Sequence, residues 1–302
     1  MLARSLAAQG AELLEQGSPG TAAALLGLAA RLAPSDTAIL FQAARAAHAL
    51  GRQDSTAAYC ERALALDPGF EPAHELALSN FLHGEAYLAV LKRIFALVRP
   101  RTYVEIGVSE GDSIRCAPPD AICLGVDPEP ALVSPPGPNV RIFAETSDAF
   151  FARDVRTELG GLPVDLAFID GMHLFEYALR DFVHLERLCH PGATILIHDC
   201  FPHDRLTAER ERHLQFWTGD VWRVVVLLKK LRPDLMIRTI ATPPSGLVVV
   251  RRLDPGSTLL AGRLAELVAE YSRLDYAYLR RGRAAKLNLV PNDWSAVRAL
   301  WA

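Results

Sequence analysis

Several common signatures are missing from this chain of 302 residues. No run approaches the ~20 consecutive apolar residues that span a bilayer, so no membrane helix is expected. The first residues, MLARSLAAQGAELLEQG, interleave Arg4, Glu12 and Glu15 with apolar positions and lack the continuous apolar stretch of a secretory leader. The five cysteines (Cys60, Cys116, Cys123, Cys189 and Cys200) are odd in number and never form a CxxC pair. They therefore argue against a disulfide frame or a thiolate zinc site, and read as small apolar residues in a reducing cytoplasm. Positive charge is not in excess either. With 32 Lys and Arg against 35 Asp and Glu the formal charge is -3, which argues against binding nucleic acid by neutralising many phosphates. Also absent are the GxGxxG dinucleotide fingerprint and the GK[ST] ending of a P-loop.

What is present begins with a repeat. Up to about residue 82 the chain is rich in Ala and Leu at helical spacing, interrupted by Gly17, Pro34, Gly51 and Pro68. Gly17 and Gly51 lie 34 residues apart, as do Pro34 and Pro68, Ala29 and Ala63, and Leu32 and Leu66. A 34-residue period with a turn glycine between two helices and a proline after the second resembles the tetratricopeptide repeat. Two such repeats, with a further helix in 71–82, leave an apolar face that must meet the rest of the chain or another subunit. The region reads either as a docking surface for a protein partner or as a packing and homodimerisation module.

From Tyr87 the pattern changes to short β-branched runs. TYVEIGV (102–108), AICLGVD (121–127), NVRIFAE (139–145), VDLAFID (164–170) and ATILIHD (193–199) each predict a buried strand. Between the fourth and fifth, LFEYALRDFVHLERLCHPG predicts a helix that stops at His190-Pro191-Gly192. LMIRTIA (235–241) and GLVVVRRL (246–253) predict a closing antiparallel pair. Seven strands alternating with helices imply a doubly wound, mostly parallel Rossmann-like α/β sheet over 83–255. A helical extension follows over 256–302, with the basic run RRGRAAK (280–286) expected on a solvated helix face.

Ligands of such sheets bind beyond the carboxyl ends of the strands. After the first strand comes Glu105-Ile-Gly107-Val-Ser109-Glu-Gly111-Asp-Ser113, where glycines let the backbone approach a ligand. Acids then close strand after strand: Asp127 after the second, Asp148 beyond the third, Asp170 after the fourth and Asp199 after the fifth. Together with Glu105 they form a register of carboxylates along one edge of the sheet.

These residues resemble the class I S-adenosylmethionine-dependent methyltransferases over about 85–255. EIGVSEGDS is similar to the first motif of the catechol-type and macrocin-type O-methyltransferases. FIDGMHLFEY followed by LCHPGATILIHD is similar to that family's D-x-x-H … GG-x-I-x-x-D stretch. The resemblance implies that Gly107, Gly111 and Ser113 hold the methionine moiety of S-adenosylmethionine, with Glu105 and Ser109 also expected at the cofactor. It further implies that Asp127 holds the ribose, that Asp148 reaches the adenine amine, and that Asp170 faces the reaction centre. It also implies a divalent metal, magnesium or manganese, on Asp170 and Asp199. One departure stands out: Cys200 follows Asp199 where the family has Asn or Asp, and a hard cation gains little from a neutral thiol. A third ligand would then come from His173, His198 or water, and a histidine shifts preference toward manganese, iron or zinc.

Methyl transfer to a hydroxyl needs alignment and a proton acceptor. His173, three residues past Asp170, is the candidate base, with a cap or a metal ligand as the alternatives. His198 is expected to point to the opposite face, as a core or supporting residue, and His203 is a lesser candidate. The segment 201–223 is expected to form a substrate lid, in which Arg205, Arg210 and Arg212 could hold an anionic acceptor and Trp217 and Trp222 offer flat faces; His198 and His203 are further substrate candidates. The leading expectation is O-methylation of a small molecule, such as a sugar or glycosylated metabolite. The competing ones are a protein or peptide acceptor recruited by the repeats, and a cofactor-binding scaffold without turnover.

Overall fold

The computed structural model describes residues 1–214 and 216–302; Gln215, inside the expected lid, lies outside the described residues. The first five helices are α1 (Leu2–Glu15), α2 (Pro19–Leu32), α3 (Thr37–Ala49), α4 (Gln53–Leu66) and α5 (Glu71–Ser79). They stack as two hairpins plus a single helix, with Gly17 and Gly51 in the hairpin turns. Small side chains make this packing possible. Ala22, Ala29, Ala30, Ala43, Ala44, Ala46 and Ala63 are buried in a core that belongs to this layer alone. At Gly10 a Cβ would stand 2.6 Å from the Leu26 side chain, so α1 and α2 touch almost backbone to side chain.

The remainder forms the α/β domain. Helix α6 (Tyr87–Val98) leads into β1 (Thr102–Ile106), β2 (Ile122–Val126) and β3 (Val140–Phe143). After β3 come α7 (Ser147–Phe151), α8 (Val155–Glu158), β4 (Val164–Ile169), α9 (Phe175–Leu188) and β5 (Cys189–His198). Then follow α10 (Trp222–Leu231), β6 (Met236–Ile240), β7 (Leu247–Arg251), α11 (Leu264–Tyr271), α12 (Arg283–Lys286), β8 (Leu289–Val290) and α13 (Trp294–Arg298).

The sheet order is β3-β2-β1-β4-β5-β7-β6-β8. Strands β1 to β5 pair in parallel, and β7 runs antiparallel to both β5 and β6. The order reverses between β1 and β4, the point at which such sheets open a ligand crevice. Alternate residues separate into two apolar layers, as a two-residue period requires. Val104, Ile106, Leu124, Ala167 and Ile195 face one layer, whereas Tyr103, Cys123, Leu166, Phe168 and Leu196 face the other.

Three expectations are corrected. The sheet has eight strands instead of seven, because Leu289–Val290 pairs in parallel with β6 at its edge. Two residues carry too little periodicity to be read as a strand. The helix after β4 ends at Leu188, and Cys189 already pairs with Val164, with a register shift absorbing Pro191-Gly192. The basic run 280–286 is not simply a solvated helix face, and the segment that carries it packs inward: Tyr271, Tyr276, Leu279 and Leu287 lie in the main core. Its basic run is largely engaged. Arg283 is buried and donates to the Pro202 and His203 carbonyls and to the Tyr276 hydroxyl. Arg280 pairs with Glu61 at 3.2 Å, and the Gly282 amide donates to Asp54 at 3.0 Å. The C-terminal segment thereby clamps α4 of the repeat layer to the α/β domain. No helix among the described residues is long and apolar enough to cross a membrane.

Candidate active site

A cavity of about 940 Å³ opens where the strand order reverses. Ten of the residues singled out from the sequence line it: Gly107, Ser109, Ser113, Asp127, Asp148, Asp170, His173, His198, Asp199 and Trp217. Glu105, Gly111, His203, Arg210 and Trp222 do not.

The half nearest β1 and β2 is built mostly from backbone. Gly107 has φ +87°, and a Cβ there would stand 2.0 Å from the Asp170 carbonyl oxygen, so the loops after β1 and β4 touch only because this residue is glycine. Asp127 ties the same loop down. Its Oδ2 accepts the Val108 and Ser109 amides at 2.9 and 2.8 Å, and its Oδ1 accepts the Glu129 amide at 2.8 Å. Glu105 lies beneath the floor, fully buried, and accepts the Ser113 and Tyr103 hydroxyls at 2.5 and 2.6 Å. Burial pushes its pKa up to about 8 although both hydroxyls pull it down. Glu105 therefore orients Ser113 and does not itself reach the cavity. Asp148 stands at the rim beyond β3, half exposed and paired with Arg180 at 2.8 Å.

The half beyond β4 and β5 is built from side chains. His173 Nε2 lies 3.0 Å from Asp199 Oδ2 and 3.7 Å from Asp170 Oδ1. Its Nδ1 faces the Trp217 carbonyl oxygen at 2.9 Å, and its ring stacks on Trp217 with centroids 5.3 Å apart. Burial alone would lower the His173 pKa, but the Asp199 and Asp170 carboxylates and the Trp217 carbonyl raise it to about 9. His198 is placed differently from expectation. Its Nδ1 lies 3.1 Å from Asp170 and 3.2 Å from Asp199, and its Nε2 lies 3.1 Å from the Ser245 hydroxyl. The reason is backbone: Asp199 sits at φ +55°, which breaks the strand alternation and turns both residues into the same cavity. Burial opposes the charged form of His198, yet the two carboxylates hold its pKa well above the usual value.

Residues 201–214 and 216–221 cover this half as irregular chain. They are sewn to His173. The Asp220 amide donates to the His173 carbonyl at 3.2 Å, and a Cβ on Gly219 would stand 1.8 Å from that same oxygen. Asp220, fully buried, accepts the Phe175 amide at 2.7 Å at the start of α9 and takes Arg210 at 2.6 Å. Arg210 also forks onto Glu176 at 3.0 and 2.6 Å, so it fastens the cover instead of facing the cavity. Trp222 is a core residue at the start of α10, 1% exposed. His203 is buried with Nε2 against the Pro244 carbonyl, and desolvation lowers its pKa to about 4. The Cys200 thiol is buried in the core and donates to the His198 carbonyl at 3.4 Å.

Arg212, singled out for an anionic acceptor, also lines the cavity; sequence reasoning missed several other lining residues: Tyr87, Thr146, Ser147, Met172, Tyr177, Asp181, Phe216 and Pro244. Tyr87 packs against His198 with ring centroids 4.1 Å apart. Nothing around it in the sequence marks it, because it reaches the cavity from the helix before the first strand.

Residues 104–200 match the sequence model of a methyltransferase domain. No curated protein matches the chain. Among solved structures, the chain is similar to the O-methyltransferase TomG of Streptomyces achromogenes, involved in tomaymycin synthesis and solved with S-adenosylmethionine. That similarity runs at 17% identity over 67% of this chain and 90% of TomG, with a TM-score of 0.43. The O-methyltransferase of Bacillus cereus, solved with S-adenosylhomocysteine, is similar at 13% identity over 61% of this chain and 90% of its own, with a TM-score of 0.43. The matched segment, 104–200, runs from β1 to just past β5 and holds most of the cavity wall. Residues 104–200 are therefore similar to a methyltransferase domain.

Proposed function

We propose that the chain transfers the methyl group of S-adenosylmethionine to a hydroxyl of a small-molecule acceptor, with a sugar or glycosylated metabolite as the favoured class. The observation that carries this reading is the meeting of Asp170, His173, His198 and Asp199 in the same cavity as the Gly107–Ser113 loop and Asp127. Ser113 and the loop amides would hold the methionine end, and Asp127 the ribose. The acceptor oxygen attacks the methyl carbon in line with the departing sulfur, and its proton passes to His173 Nε2. With Nδ1–H donating to the Trp217 carbonyl, Nε2 is the nitrogen that takes the proton, and it does so once it has released the proton it shares with Asp199. The imidazolium that forms is stabilised by Asp199 and Asp170. His198 acts differently. Wedged between both carboxylates and Ser245, it positions the acids and has no nitrogen left for an acceptor. Trp217 offers the flat face beside His173 on which a sugar ring would rest.

The same residues fit a divalent cation. One ligand atom each from Asp170, His173 and Asp199 lies within 4.8 Å of the others. His173 already spends its second nitrogen on a backbone carbonyl, as ligating imidazoles do. Two oxygens and one nitrogen suit manganese, iron or zinc better than magnesium. Bound there, a cation would lower the pKa of the acceptor hydroxyl. A small acceptor is favoured over a protein because the acid–imidazole cluster lies inside the cavity, away from the repeat layer.

Isothermal titration with S-adenosylhomocysteine tests the reading, run in EDTA and again with magnesium or manganese. Micromolar binding is expected. A heat that depends on the metal would place the ion beside Asp170 and Asp199, and absence of binding under every condition would overturn the proposal.

A further inference from the structure

His173 stands at φ +53°, a left-handed backbone that a residue with a Cβ keeps only when its surroundings impose it. Here the surroundings are four residues of the covering chain. Gly219 lies so close to the His173 carbonyl oxygen that a Cβ would stand 1.8 Å away, and the Asp220 amide donates to that oxygen at 3.2 Å. The Trp217 carbonyl faces His173 Nδ1 at 2.9 Å. Residues 217–220 therefore set both the backbone and the ring of His173.

Two kinds of contact hold this turn. Some join the cover to itself and would travel with it. The Thr218 amide and hydroxyl donate to the Thr207 carbonyl at 3.0 and 2.8 Å, and the Trp217 indole donates to the Glu209 carbonyl at 2.6 Å. Others tie the turn to α9, the helix that His173 precedes, and these converge on Asp220. Its Oδ1 accepts the Phe175 amide at 2.7 Å, and its Oδ2 takes Arg210 at 2.6 Å. Arg210 reaches on to both Glu176 oxygens at 3.0 and 2.6 Å. A planar guanidinium can span two carboxylates in this way, whereas an ammonium is a single point charge. Arg223 also donates to Asp220, and on to the Leu274 carbonyl. The buried acid thus keeps a cationic partner when Arg210 is removed, and the loss falls on the placing of the turn.

We propose that Arg210 is a positioning residue for the transfer. By bridging Asp220 to Glu176 it holds residues 217–220 against His173, and so keeps Nδ1 on the Trp217 carbonyl and Nε2 toward the acceptor. The assignment rests on the reading of His173 as the base.

The test follows the His173 imidazole by long-range proton–nitrogen NMR in the full chain, isotope-labelled at histidine and kept free of metal with EDTA. Its signal is identified by its absence from His173→Ala. The unaltered protein should show an Nδ1–H protected from exchange with water, which is visible in either charge state of the ring. Arg210→Ala should lose that protection, and guanidinium ion at millimolar concentration should restore it by refilling the half-exposed bridge. Glu176→Gln, which keeps the pair between Arg210 and Asp220, should lose part of the protection, and it decides the matter if Arg210→Ala does not fold. A merely structural arginine would lower the melting temperature of its variant and leave the imidazole signal as it was. Full protection in Arg210→Ala, or in Glu176→Gln where that variant decides, overturns the proposal. So does a loss that guanidinium does not restore, or an unaltered protein without the protected Nδ1–H. These outcomes need no acceptor and leave the base reading standing. Full turnover in His173→Ala would instead overturn that reading, and the role of Arg210 in the transfer with it, whatever the NMR signal shows.

Discussion

The two halves of the cavity are made in different ways. The half at β1 and β2 comes from about twenty residues of continuous chain, Glu105 to Asp127, and most of its contacts are between a side chain and nearby backbone amides. The half at β4 and β5 joins residues far apart in sequence: Tyr87, Asp170, His173, His198, Asp199, Trp217 and Ser245. Local chain geometry positions the first half. In the second half each group is held by another side chain or by the covering segment, so its charges are coupled and a change at one is felt by the rest.

That difference can be broken from either side. The largest effect is expected on the coupled side. His173→Ala should reduce turnover by on the order of 10²–10⁴-fold while leaving S-adenosylhomocysteine affinity nearly unchanged. Steady-state kinetics beside calorimetry separates the two, and full activity in the variant would remove His173 from the mechanism. The pH profile sharpens the point. In metal-free protein His173 carries its proton below about 9, so as a base it becomes competent only as pH rises toward that value. The rate constant kcat/KM should therefore climb up to about pH 9, and the climb should vanish in His173→Ala.

On the local side a smaller and different loss is expected. Asp127→Ala should weaken S-adenosylhomocysteine roughly 10- to 100-fold, as loss of a charge-assisted contact does. It should also lower the melting temperature by a few degrees, because Val108 and Ser109 lose their acceptor. Unaltered affinity would mean that the carboxylate serves only the loop. The smallest effect lies outside the cavity. Arg280→Ala removes an exposed ion pair to Glu61 and should cost less than ~1 kcal/mol of stability by denaturant titration. A larger loss would show that the clamp between repeat layer and α/β domain depends on this pair and not on the buried Arg283.

The legibility of the site in the sequence follows the same division. Gly107, Ser109, Ser113 and Asp127 were recognisable because their spacing and the strand ends on either side are local facts. His198 was expected on the far face because strands alternate; the left-handed backbone at Asp199 cancels that rule and leaves no mark in composition. Arg210 and Trp222 looked equally suited to a substrate. One is committed to Glu176 and Asp220, and the other is buried in the core. Asp181 was not singled out in the sequence, since the packing of α9 on α7 brings it to the cavity.

The 34-residue period, the alternation of strands and helices, and the acids closing successive strands follow from the sequence by itself. Apolar periodicity and turn residues act over a few positions, and the chain cannot satisfy them in many ways. Tertiary structure alone decided which side chains share the reaction half, which arginines are spent on holding the cover, and that a two-residue strand near the C-terminus joins the sheet. Those outcomes depend on burial and on partners distant in sequence, as in the contact between His173 and Trp217, where the choice is made by the whole packed core and not by any neighbouring stretch of chain.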